Sequence, residues 1–195
     1  MSDSRPAGPA PSADPVDPSR PAPGPRRIVL FGAVAALALA LDIVSKVLVV
    51  AQLSDRAPLR LLGGALYLQV ARNAGAAFSQ GTSFTIVITV IALVIVAVIL
   101  RTARRLRSAG WAVALGLILG GALGNLVDRL VRAPSVGRGH VVDWISVFGP
   151  DGERYPIFNL ADSAVCVGAV LVVVLALRGI GLDGRRATGK GEPAA

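Results

Sequence analysis

Charge is scarce in this chain. Asp, Glu, Lys and Arg make up only 16% of its 195 residues, against about 25% in a typical soluble domain. There is one cysteine, Cys166, and one histidine, His140. A single cysteine excludes an internal disulfide framework and a cysteine-built metal site, and a single histidine argues against a histidine-built one. Aromatic residues are sparse at 5%. What fills the chain is aliphatic: 53% of residues are hydrophobic and the mean hydropathy is +0.65. That balance suggests a membrane protein. The net charge of +8 need not signal nucleic acid, because Lys and Arg gather in the cytoplasmic loops of membrane proteins.

Proline is confined rather than scarce. Eight of the thirteen prolines lie within residues 1 to 25, between Ser, Ala and Asp. Such a segment buries no core, so residues 1 to 26 read as a disordered cytoplasmic tail. The segment is too polar to be a secretory signal. Residues 181 to 195 read as a second short polar tail.

A helix crossing the hydrocarbon needs about 20 mostly apolar residues. Four stretches qualify, at about 28–51, 84–100, 111–130 and 160–178. The second holds no ionisable group and is expected to face lipid most. Twelve of the twenty basic residues precede span one, link spans two and three, or follow span four. The positive-inside rule then places both termini in the cytoplasm and the connections 52–83 and 131–159 outside. In the first outer connection, Leu66, Leu68 and Val70 alternate with Tyr67, Gln69 and Ala71 after Gly63-Gly64, which predicts a small hairpin. The second contains "APSVGRGH" and "GPDGERYP" and reads as a loop or lid.

Polar groups inside spans mark function by default. Here they gather at one depth. Asp42 and Lys46 lie toward the outer end of span one. Asn125, Asp128 and Arg129 lie at the outer end of span three, and Asn159 and Asp162 at the mouth of span four. Asp42 and Lys46, four apart, read either as a mutually neutralising pair or as a substrate contact. Asp128 and Arg129 read as an interfacial anchor, or Arg129 turns inward to grip a peptide carbonyl. Asn73 and Asn125 read as caps, helix–helix bonds or ligand contacts. Gly75, Gly121 and Gly124 suit turns or close packing. Cys166 reads as a small buried hydrophobe, and Trp111, Trp144 and Tyr155 as an interfacial aromatic belt.

Asp143, in "VVDWI", and Asp162, in "NLADSAV", lack a basic partner at helical spacing. Carboxylates in apolar frames are raised in pKa or share a proton. A pair sharing one proton activates water and protonates a leaving group, as in aspartic proteases. The same groups would also serve a proton-coupled transporter or channel, and an unrelated cap plus an interfacial residue is the plainer alternative.

"DIVSK" at 42–46, "RNAGAAFS" at 72–79, "GALGNLVDR" at 121–129, "HVVDWI" at 140–145 and "FNLAD" at 158–162 follow in that order. Together they resemble the bacterial lipoprotein signal peptidase family, signal peptidase II, over about residues 28 to 178. The resemblance implies an all-α membrane protein of four transmembrane helices, with a small extracytoplasmic β-hairpin or cradle and a lid loop. It implies an aspartic endopeptidase of the bacterial inner membrane that removes the signal peptide from diacylglyceryl-modified prolipoproteins, just before the lipid-bearing cysteine. Asp143 and Asp162 map onto the catalytic pair, and Asn73, Asn125, Arg129 and Asn159 onto substrate contacts. Asp42, Ser45, Lys46, Gly75 and Asp128 fall in the supporting motifs. No metal or organic cofactor is implied, and cyclic peptides such as globomycin are the expected inhibitors. The sequence departs from the family's pattern in two places. The usual VVDF reads VVDW, and the connection from Arg129 to Asp143 is longer.

Overall fold

The computed structural model describes residues 25–75 and 81–186. Four long helices run α1 (Ile28–Leu53), α2 (Gly81–Ala103), α3 (Ala109–Val131) and α4 (Leu160–Leu177). All four are long and apolar enough to cross a membrane. The shortest, 18 residues, rises about 27 Å, close to the hydrocarbon thickness. The Pro-rich segment 1–24, the motif residues Ala76–Ser79 and residues 187–195 lie outside the described residues.

The helices are not equivalent. α3 is the central one, packed extensively on α1 and α4 and less on α2. Lipid gives little hydrophobic reason for helices to associate, so close backbone approach must do it. Glycines on α3 supply that approach. A Cβ on Gly121 would strike the Ala161 carbonyl oxygen of α4, and one on Gly124 would strike the Asp42 carboxylate of α1. Large outward residues of α1, α2 and α4, such as Leu37, Leu41, Val90, Val94, Val167 and Val170, are exposed and face lipid.

One end of the bundle carries a sheet of three strands, not the two-stranded hairpin expected. β1 (Leu59–Leu61), β2 (Leu66–Asn73) and β3 (Val141–Val147) pair antiparallel in that order. The third strand comes from the connection read as a loop or lid. An apolar run without strict alternation hides a strand buried on both faces, and Val141, Val142, Asp143 and Ser146 are all buried.

The register also corrects the expected alternation. Leu66 and Leu68 stand opposite Val147 and Ile145, but beyond a bulge Ala71 stands opposite Asp143 and Asn73 opposite Val141. One extra residue in β2 therefore shifts the inward face from even to odd positions. Ala71 and Asn73 join the face of Leu66 and Leu68 rather than the face of Tyr67.

After α3 the chain turns back on the helix end. Gly139 N–H donates to the Arg129 carbonyl at 3.0 Å and His140 N–H to that of Ala133 at 3.1 Å. The 148–153 turn is tied down as well. Gln69 donates to the Asp151 carboxylate and accepts from its N–H, both at 3.1 Å, and Ser146 donates to the Gly149 carbonyl at 2.7 Å.

At the opposite end, the start of the short polar tail is tied to the bundle. The Leu182 carbonyl accepts from Arg107 N–H (2.9 Å) and Ser108 N–H (3.0 Å). The Trp111 indole donates to the Ile180 carbonyl at 2.8 Å. Cys166 is exposed on α4 rather than buried. A small apolar residue is as stable facing lipid as facing a core, so composition alone did not fix its side.

Candidate active site

The polar residues singled out in the sequence meet at the sheet-bearing end of the bundle. Asn159 is the hub and is fully buried. It caps α4: its side-chain oxygen accepts from Asp162 N–H at 2.9 Å, and the Asp162 carboxylate accepts from Asn159 N–H at 3.1 Å. This reciprocal box satisfies donors that a helix start leaves free. The remaining amide of Asn159 donates to Asp143 at 2.7 Å and to the Asn125 oxygen at 3.1 Å. One residue thus holds both carboxylates, Asp143 from β3 and Asp162 from α4.

Each carboxylate has a second amide. Asn73 donates to the other Asp143 oxygen at 2.9 Å. Its own oxygen accepts from Gly75 N–H at 2.8 Å. Gly75 has φ +98°, a conformation that favours glycine, so the turn after β2 sets the orientation of Asn73. Asn125 donates to Asp162 at 2.8 Å.

Asn125 in turn accepts from Lys46 at 3.0 Å. Lys46 is almost fully buried and pairs with Asp42 at 2.7 Å and Asp128 at 2.9 Å. Asp42 also accepts from Ala161 N–H at 2.9 Å, and Asp128 from Val142 N–H at 3.1 Å. Asp128 is also paired with Arg132. Lys46, Asp42 and Asp128 therefore each touch the segment immediately before Asp143 or Asp162, or the amide that holds Asp162. The pair reading of Asp42 and Lys46 was right but incomplete. Their partners come from 79 and 119 residues away, beyond any local spacing rule.

Arg129 lies within electrostatic reach of Asp162, Asp143 and Asp128. One of its terminal nitrogens donates to the Asn125 carbonyl at 3.2 Å, while its buried Nε has no partner among the described residues. The Trp144 indole nitrogen, which the usual Phe would not carry, is likewise buried without one.

Burial pushes the Asp143 carboxyl up to about 6. The two amide donors oppose that rise and the neighbouring Asp162 adds to it. A carboxyl that readily holds a proton, beside a second carboxylate, is the electrostatic pattern for shared acid–base work.

A family profile described as Signal peptidase (SPase) II matches residues 34–178. The lipoprotein signal peptidase of Mycobacterium avium is 51% identical over 164 residues, covering 83% of this chain and 87% of that protein. The lipoprotein signal peptidase of Streptomyces coelicolor is 50% identical over 161 residues, covering 83% and 76%. A bacterial membrane enzyme solved at 1.9 Å by the in meso method superposes with a TM-score of 0.67 at 26% identity, covering 77% of this chain and 94% of that one. With four membrane-length helices and this breadth of likeness, the chain is a multi-pass membrane protease and belongs to the signal peptidase II family.

Proposed function

We propose that this chain is an aspartic endopeptidase that cleaves signal peptides from diacylglyceryl-modified prolipoproteins, just before the lipidated cysteine. Asp143 and Asp162 are its catalytic pair. The observation that carries this reading is the grip of Asn159 on both carboxylates, its amide on Asp143 and its backbone N–H on Asp162. Asp143, the carboxyl raised by burial, serves as the acid that polarises the scissile carbonyl. Asp162 takes the proton from the attacking water. The proton passes between the two carboxylates over the cycle. The Nε of Arg129, without a partner among the described residues, suits a substrate carbonyl. With Asn73, Asn125 and Asn159 it fixes the peptide and the carboxylates, and orientation supplies part of the rate. Asp42, Lys46, Gly75 and Asp128 support those residues. Globomycin-like cyclic peptides bind at the same place.

In this reading the termini are cytoplasmic and the site opens at the outer membrane surface, where a lipid-tethered peptide and water both reach it. A proton-coupled transporter is not favoured. Among the described residues, the carboxylates within the spans, Asp42, Asp128 and Asp162, all join the network at the sheet-bearing end. That leaves no chain of carboxylates through the membrane depth.

The test is cleavage of a diacylglyceryl prolipoprotein by Asp143→Asn and Asp162→Asn. Each is expected to lose on the order of a thousandfold or more in kcat, as when members of a concerted catalytic unit are removed. Near-parental cleavage by either variant removes that residue from the pair.

A further inference from the structure

A groove opens beside Asp162 and runs down the outer face of α4. It holds about 250 Å³ and is lined by Tyr155, Phe158, Asp162, Ser163, Cys166 and Val167. Its walls are mostly apolar. The polar edge is at the top, where Asp162 and Ser163 sit, and Ser163 is already committed, donating to the Asn159 carbonyl at 3.0 Å. Tyr155 and Phe158 form an edge-to-face pair at 5.9 Å over that end. Below, Cys166 and the exposed Val167 leave the groove open to lipid.

We propose that this groove seats the first part of one acyl chain of the substrate's lipidated cysteine. The inference rests on the peptidase reading. An occupant must be apolar, must be tethered at the scissile bond beside Asp162, and must leave into the bilayer. From Asp162 to Val167 the helix rises about 7.5 Å, which is the length of a few methylenes. A helical signal segment is about 10–12 Å across and fits a trough between two helices, whereas this groove has a helix on one side only.

A second apolar groove of about 200 Å³ lies on the other flank of α4, among Leu37, Leu41, Leu117, Leu160 and Ala164. It touches neither carboxylate of the pair. Lipid tails are as apolar as either groove, so seating a chain there yields little transfer energy. What the first groove offers is orientation: the glyceryl-bearing cysteine is held in register with the carboxylates.

The test compares two synthetic prolipopeptides whose glyceryl cysteine carries either palmitoyl or acetyl chains. The purified full chain should prefer the palmitoyl peptide in kcat/KM. Cys166→Trp, which fills the groove from a lipid-facing position, should reduce that preference at least tenfold. Leu117→Trp, in the second groove, should leave it unchanged. An equal loss on both peptides, or no loss, overturns the proposal.

A labelling experiment decides the same point without the bulky variant. Cys166 is the chain's single cysteine, and its alkylation by N-ethylmaleimide can be followed in Asp143→Asn, which holds substrate uncleaved. The palmitoyl peptide should slow labelling several-fold more than the acetyl peptide, and equal protection by the two also overturns the proposal. Failure of the parent chain to cleave either peptide would count against the peptidase reading, a different result from cleavage of both at equal rates.

Discussion

α2 and α3 have the same length, 23 residues each, and opposite roles. From Ile86 to Val98, α2 presents large aliphatic residues outward, and its main helix partner is α3. α3 buries four glycines, Gly116, Gly120, Gly121 and Gly124, and carries Asn125, Asp128 and Arg129 at its end. The more hydrophobic helix is thus the peripheral one. In lipid, bulk and apolarity do not select the centre. Small residues that admit a neighbour's backbone do, together with polar groups that need one another.

The contrast can be broken most sharply at Gly121. Gly121→Leu drives a side chain into the Ala161 carbonyl and displaces α4. It should cost more than about 4–5 kcal/mol, read as loss of folded protein on size-exclusion chromatography. Val94→Leu on α2 should leave the profile intact. A stable Gly121→Leu protein would refute the close-approach account.

Lys46→Met tests the polar half of the comparison. It strands the buried Asp42 and leaves the buried Asp128 with Arg132 alone, and should cost about 3–5 kcal/mol, visible as a lower Tm. Cleavage should fall as Asn125 loses its anchor. An unchanged Tm would mean the ionic group is not coupled to the fold.

A smaller effect follows from Asp143. Its carboxyl is raised from the ordinary range near 3.9 to about 6, so the folded state favours the protonated form. The stabilisation this gives is complete below about pH 4 and is lost as pH rises through about 6. The Tm of the parent relative to Asp143→Asn should therefore fall between pH 4 and 6. Asn73→Ala removes a donor to the carboxylate and should move that window upward. A flat difference across the range would deny the shift. The smallest change should come from Thr89→Val on α2, which removes the bond to the Gly137 carbonyl at 3.0 Å and should cost about 1 kcal/mol in chemical denaturation.

The four spans were legible because a membrane helix is written as a long local run, and both carboxylates were legible because they interrupt apolar frames. The cap was legible in principle too. "NLAD" places Asn at a helix start and Asp three residues on, which is a capping-box signature. What escaped was non-local or two-sided. β3 carries apolar residues on both faces, so no alternation marked it. The bonds from Lys46 to Asn125 and from Asp42 to Ala161 join distant segments. Cys166 faces outward because lipid accepts what a core accepts. The binding of residues 180–182 to the α2–α3 link and the first turn of α3 depends on backbone carbonyls, which any sequence supplies.

The bulge in β2 has a consequence for how tightly chain length is constrained. Side chains on a strand have parity, and the bulge changes it once, between Leu68 and Ala71. Asn73 faces Asp143 only because of that single change. Deleting Val70 while keeping the pairing at Leu66 to Leu68 would remove the extra residue, leaving a regular strand with Ala71 still opposite Asp143 and Asn73 still opposite Val141. Deleting Arg72 with the bulge kept would instead bring Ala74 opposite Val141, and alanine has no amide for Asp143. One residue can be lost at the bulge and none beyond it, although the whole stretch is permissive in composition. Deletion of Val70 should leave Asp143 its donor, whereas deletion of Arg72 should remove it.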